Sequence, residues 1–206
     1  MVVTIARQFG SGGRKIGKKV ADKLGVPFYD KKLITLAAKE SGIDPDVLKS
    51  VDEKAANSLL YALSIGAASS YDVFGTEPPM PMNDKLFLIQ HDIIKKVSAD
   101  PCVIVGRCSD YILRDRTDCV KIFIYADMKY RKKYAKDVYR ISEDKVEGVI
   151  NRMDKSRANY YQFYSDNDWG DMKNYDLCLN SGKLGVDGCV RLIVSYLKIR
   201  GLIDPV

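Results

Sequence analysis

Histidine and tryptophan each occur once in these 206 residues, and the five cysteines fall in no C-x-x-C pair. With His91 alone, neither a Ser-His-Asp nor a Cys-His mechanism is expected. The scattered cysteines, odd in number, build neither a zinc site nor a disulfide framework. Cys102 and Cys178 stand in apolar runs and read as buried core thiols. No apolar run approaches the ~20 residues that cross a bilayer. The start lacks the charged-then-apolar pattern of a signal peptide, so the expectation is a cytoplasmic chain. There is no internal repeat and no low-complexity tract.

What is present is a chain of ordinary globular composition, 46% hydrophobic, long enough for one domain. Its net charge of +6 suits an anionic small molecule. Basic residues cluster at 129–136, but a solvated helix face accounts for them. No long basic stripe with interleaved aromatics speaks for nucleic acid, and no segment speaks for a membrane. Nothing in the pattern fixes an oligomeric state.

The most informative stretch is the first. A β-branched run, Val2 to Ala6, leads into Arg7-Gln8-Phe9-Gly10-Ser11-Gly12-Gly13-Arg14-Lys15, and a helical pattern follows. Strand, glycine-rich loop and helix N-terminus together form a phosphate cradle, because small residues let consecutive backbone N–H groups approach an anion. The usual loop, G-x-x-x-x-G-K-[ST], supplies a lysine to the β- and γ-phosphates and a hydroxyl to magnesium. Here Gly13 stands where the lysine belongs, and Arg14 and Lys15 after it offer no hydroxyl. Arg14, Lys15 and Arg7 are near enough in sequence to replace the charge. Arg14 is the first choice because it sits where loop becomes helix. The plainer alternative is a strand-to-helix turn with a solvated basic rim.

Strand candidates are 2–6, 27–29, 102–105, 120–125 and 177–180. Helical periodicity fills 15–24, 31–41, 44–65, 84–99, 128–138, 142–164 and 186–200. Strands alternating with helices predict βαβ units and a mostly parallel sheet covered on both faces. Ligands then bind beyond the carboxyl ends of the strands. That rule lines up 7–14, Asp30, Gly106-Arg107 and Asp127 along one edge. The proline-rich stretch 69–84 reads as a loop within an inserted helical segment, roughly 44–84.

Arg107 closes a buried strand, and its guanidinium fork suits bidentate phosphate contact. Pairing with Asp110 or Asp115 is the alternative. Asp154 and Arg157 share a helix face, as a surface pair or as part of a lid that brings positive charge to a transferring phosphoryl group. The aromatic run 160–169 reads as core packing or as a wall for a base. Asp30 could bind substrate, orient a basic side chain, or cap the helix that follows.

Ile5 to Gly17, Leu24-Gly25-Val26-Pro27-Phe28-Tyr29-Asp30, Val103 to Leu113, and Trp169 to Ser181 together resemble the cytidylate kinase-like family, over essentially the whole chain. The resemblance implies a three-layer α/β P-loop kinase fold, adenylate-kinase-like, with a five-stranded parallel sheet, a helical insertion (44–84) and a lid (142–170) in a single domain, 1–206. It implies transfer of the γ-phosphoryl of ATP, with Mg2+, to a nucleoside monophosphate or a related phosphorylated acceptor. Gly10, Ser11 and Gly12 match the phosphate loop, which would continue through Gly13, Arg14 and Lys15. Asp30 and Arg107 match acceptor-side positions. Asp154 and Arg157 match a lid Asp-x-x-Arg pair, and Arg131 falls where a further arginine stands. Arg14, Arg157 and Arg131 are the expected catalytic cations, and Asp127 is a candidate to organise magnesium through water. Two departures stand out: the altered loop, and Leu36 in place of the acceptor arginine six residues after the aspartate. The competing expectation is a nucleotide-binding regulatory module with little or no turnover.

Overall fold

In the computed structural model, residues 1–30, 32–42 and 82–204 are described. Five parallel strands form one sheet in the order β2-β3-β1-β4-β5. They are β1 (Val2–Arg7), β2 (Phe28–Tyr29), β3 (Cys102–Val105), β4 (Cys119–Tyr125) and β5 (Leu177–Asn180). Val2 is in register with Cys102 on one side and Cys119 on the other, which places β1 at the centre.

A central parallel strand is buried on both faces, so its side chains divide between two cores. Val3 and Ile5 pack with Ile16 and Val20 of α1 (Gly13–Leu24) and with Cys189, Ile193 and Leu197 of a C-terminal helix, α7 (Ser181–Ile199). Val2 faces the other way, onto Leu33 of α2 (Lys32–Ser41), Leu86, Ile93 and Ile94 of α3 (Met82–Val97), and Ile112 of the short α4 (Ser109–Ile112). Each fully buried aliphatic side chain contributes about 1.5–3 kcal/mol. Two further helices, α5 (Met128–Tyr139) and α6 (Glu143–Ser165), meet through Ala135, Val146 and Ile150, with Phe9 against them.

All five expected strands are present, and the three-layer parallel architecture is as expected. The expected helix 44–65 and the insertion 44–84 lie outside the described residues, apart from the start of α3. Within α7, Gly185 (φ 67°, ψ 170°) is a non-helical break, so a short turn from Ser181 precedes the helix expected over 186–200, which starts after the break as expected. Cys178 is a correction: it is exposed, not buried. It lies on β5, the edge strand of the sheet, where alternate side chains are less covered than in the centre. Among the described helices, none is long and apolar enough to cross a membrane.

Candidate active site

The loop after β1 is shaped by left-handed backbone at Gly10 (φ 78°) and Gly12 (φ 75°). A Cβ on Gly10 would come within 2.7 Å of the Arg131 carbonyl oxygen, so α5 presses against the loop from outside. Gly12 is the N-cap of α1 and supplies no side-chain cap. The Ser11 N–H and hydroxyl both donate to the Gln8 carbonyl, at 3.3 and 2.8 Å. The Ser181 hydroxyl donates to the Ser11 carbonyl at 2.7 Å, tying the end of β5 to the loop. Among the described residues, no hydrogen bond takes up the N–H groups of Gly10, Gly12, Gly13, Arg14 or Lys15. A helix N-terminus with its orphan donors left open is electropositive and geometrically ready for phosphate oxygens.

Asp154 fixes the far side of this loop. Its Oδ1 accepts the Phe9 N–H at 2.7 Å, and its Oδ2 accepts from Arg131, whose side chain is almost wholly buried. Arg157, one turn along α6, lies 3.9 Å from the same carboxylate and donates to the Arg7 carbonyl at 2.9 Å. Asp154 and Arg157 therefore belong to a part-buried network that joins α5, α6 and the end of β1; they are not an exposed surface pair.

On the other side, Asp30 is buried at the end of β2 and accepts from Arg14, whose own side chain is largely exposed. This contact is the one expected if Asp30 orients a basic side chain. Arg107 follows β3 within a run of three left-handed residues: Gly106 (φ 78°), Arg107 (φ 63°) and Cys108 (φ 51°). For the two that are not glycine such backbone costs about 1–3 kcal/mol each, which marks a segment held in place by its surroundings. The Cys108 thiol is buried, and burial pushes its pKa up.

The least expected member of the site is Arg7. In the sequence it is only an alternative source of charge, yet its side chain runs between the loop and the end of β3. A Cβ on Gly13 would meet the Arg7 Cβ at 2.6 Å, and a Cβ on Gly106 would overlap Arg7 Nη1. Burial lowers the pKa of Arg7, and the nearby Arg157 and Arg107 guanidiniums lower it further, while Asp30 opposes them. Arg107 and Arg157 are also lowered, in each case chiefly by burial. Guanidiniums crowded at a partly dry edge raise the cost of one another's charge, and an added anion lowers it.

Gly10, Ser11, Gly12, Gly13, Arg14, Asp30, Arg107, Arg131 and Arg157 are thus gathered around the carboxyl ends of β1, β2 and β3. Lys15 is exposed on the first turn of α1. Asp127 is the N-cap of α5: its Oδ1 accepts the Tyr130 N–H at 2.8 Å, and its carbonyl accepts the Arg131 N–H at 3.1 Å. The aromatic run serves packing in this structure. Tyr164 stacks on Phe87 (3.9 Å between centroids), Trp169 meets the edge of Phe123, and the Tyr161 hydroxyl donates to buried Asp110 at 2.7 Å.

The open loop amides, with guanidiniums close beside them, fit a polyphosphate. For magnesium, the described residues hold no group of three or more His, Cys, Asp or Glu. An ion that enters on substrate phosphates needs no such cage, only one or two carboxylates.

A model of the cytidylate kinase-like family matches residues 2–183. The chain is 26% identical over 208 residues to a cytidylate kinase of Archaeoglobus fulgidus, covering 97% of this chain and 96% of that enzyme. Among solved structures, an uncharacterized protein from Eubacterium ventriosum superposes with a TM-score of 0.72 at 26% identity, over 96% of this chain and 98% of the other. A shikimate kinase from Bacteroides thetaiotaomicron superposes with a TM-score of 0.53 at 14% identity, over 96% and 98%, a likeness of fold.

Proposed function

The chain belongs to the cytidylate kinase-like family, and on that premise we propose that it transfers the γ-phosphoryl group of ATP to a nucleoside monophosphate, cytidylate-like, or to a related small phosphorylated acceptor. The observation that carries this reading is the meeting of a loop of unpaired amides with the guanidiniums of Arg7, Arg107 and Arg157 at one sheet edge.

The loop, Gly10 to Lys15, holds the donor phosphates, with Arg14 fixed by Asp30 at its rim. Arg107 holds the acceptor phosphate beyond β3, with Asp30 beside it. Arg157 neutralises charge that develops in transfer, and Arg131 keeps it placed through Asp154. An acceptor oxygen attacks the γ-phosphorus in line. The bond to the β–γ bridging oxygen breaks, its electron pair stays on that oxygen, and ADP leaves. With a phosphate oxygen as nucleophile no proton has to move. Such chemistry needs positioning and charge, not a covalent intermediate. Mg2+ would neutralise the phosphate oxygens, with Asp127 reaching it through water. The organisation we propose is one domain over 1–206 with an insertion over 44–84, in which segment 142–170, including α6, acts as the lid.

Leu36, in place of an acceptor arginine, supports an acceptor other than cytidine monophosphate itself. The test is ATP-to-ADP turnover with magnesium against a panel of nucleoside monophosphates and small phosphorylated metabolites. Acceptor-dependent turnover supports the kinase and identifies its substrate. ATP binding with no turnover on any acceptor favours the regulatory module, for which the missing loop lysine speaks.

A further inference from the structure

Gly13 is the first residue of α1, the position from which a loop lysine would reach the β- and γ-phosphates. Its backbone does not explain why it is glycine. Positive φ is found at Gly10 and Gly12 but not at Gly13. Space explains it: a Cβ there would overlap Arg7 Cβ at 2.6 Å and Arg7 Cγ at 3.0 Å. Ninety-three positions later, Gly106 gives way to the same side chain, with Arg7 Nη1 occupying the place where a Cβ would stand. The arginine thus leaves β1, passes over the first residue of α1 and ends at β3. Its guanidinium lies between the donor loop and the Gly106-Arg107 turn.

Among the described residues, Arg7 makes no ion pair and no side-chain hydrogen bond, in contrast to Arg14 on Asp30 and Arg131 on Asp154. Arg157 holds the Arg7 backbone by its carbonyl and leaves the guanidinium uncommitted. An arginine brought this far in from solvent with no ion pair closer than the influence of Asp30 is costly, and an anion at its guanidinium relieves the cost.

We propose that Arg7 supplies, from the strand, the cation that P-loop kinases take from a lysine on the helix, and that Gly13 and Gly106 are the two gaps that let it reach the phosphoryl group in transit. The proposal rests on the kinase reading and adds to it the residue that replaces the loop lysine. Arg14, the sequence-based choice, is committed to Asp30 at the rim. Arg7 remains protonated throughout and donates hydrogen bonds to the γ-phosphoryl oxygens. These strengthen as charge shifts onto the bridging oxygen in the transition state. A guanidinium suits this role, since its fork can span oxygens of donor and acceptor at once.

Arg7→Gln keeps length and polarity without charge. Its kcat is expected to fall on the order of 10²–10³-fold, with the acceptor KM changed far less and the melting temperature near wild type. Arg7→Lys should keep more activity than Arg7→Gln. In Arg7→Gly, millimolar guanidinium chloride should restore turnover saturably, whereas equal concentrations of urea should not. The reciprocal swap Arg7→Gly with Gly13→Lys should regain at least about tenfold over Arg7→Gly alone, because removing the Arg7 Cβ opens the room a lysine needs. Gly13→Lys in the wild-type background should instead lose activity.

An Arg7→Gln enzyme within about threefold of wild type overturns the proposal. So does a loss that neither guanidinium nor the reciprocal swap relieves, which would make Arg7 structural. Should wild type itself turn over no acceptor, the kinase reading fails separately, and calorimetry then tests Arg7. ATP affinity should fall at least about tenfold in Arg7→Gln, with ADP affinity changed less; equal loss for both, or none, overturns the assignment.

Discussion

The two ends of the sheet handle arginine in opposite ways. At the amino end, Arg116 is fully partnered: it donates to both Asp118 oxygens at 2.9 and 2.8 Å and to the Ser98 carbonyl at 2.6 Å. The N-terminal ammonium of Met1 joins the same carboxylate at 2.9 Å. Arg116 is accordingly raised, first by its hydrogen bonds to Asp118. At the carboxyl end, Arg7, Arg107 and Arg157 are lowered by burial and crowding, and the buried Asp30 carboxylate acts on two of them, Arg7 and Arg107. One end is electrostatically complete within the chain. At the other, guanidiniums crowd beside open backbone amides. That asymmetry is a stronger pointer to function than the charge total, because it is local and has a sign.

The largest effect expected on this contrast comes from Arg107→Ala. Acceptor-dependent turnover should drop on the order of 10²–10³-fold, about 2.7–4 kcal/mol, while thermal melting stays near wild type because the side chain lies at a strand end and outside the core. Full activity in this variant would remove Arg107 from the acceptor site. Next, ATP at a hundredfold excess over its Kd should stabilise the folded chain by about 2.7 kcal/mol, read as a rise in Tm of about 5–10 °C. A Tm indifferent to ATP would mean that the carboxyl end does not await this anion.

Gly10→Ala should act on both stability and binding. The left-handed φ and the 2.7 Å approach to the Arg131 carbonyl leave no place for a Cβ, and the cost is about 1–3 kcal/mol. Chemical denaturation would show it directly, and calorimetry should show weaker ATP binding. The smallest effect belongs to the amino end. Asp118 is held well below the usual carboxylate range, first by the Arg116 hydrogen bonds and then by the N-terminal ammonium. A depressed folded value contributes stability above about pH 4 and loses it as pH falls through that value. Asp118→Asn should therefore flatten the acid limb of the stability profile and leave turnover unchanged. A loss of turnover would show that the two ends are not independent.

The framework of this fold was legible because each strand is a short β-branched run bounded by turn residues, and parallel strands buried on both faces read that way. Arg107 was legible for the same reason: a buried strand ending in Gly-Arg has one direction in which to project. Three things were not legible. Cys178 sits in an apolar run, but its exposure depends on β5 being at the edge, which is a fact of strand order. Asp154 pairs with Arg131 and takes up the Phe9 amide 145 positions away, which helical spacing cannot reveal. Arg7 lies beside the glycine-rich loop in sequence, yet its importance depends on empty space at Gly13 and Gly106 together. The signal that could have found it was present. Gly13 is a glycine where neither a turn nor a left-handed backbone requires one, and such a glycine asks what occupies the missing Cβ.

The most direct test of the central claim, that the carboxyl end is completed by a phosphate chain, is a titration of the 15N-labelled protein with ATP, followed at backbone amides. The account predicts saturable shifts concentrated at Gly10, Gly12, Gly13 and Arg14, whose N–H groups have no partner among the described residues. Binding that leaves these amides unmoved, or no binding at millimolar ATP, would contradict it.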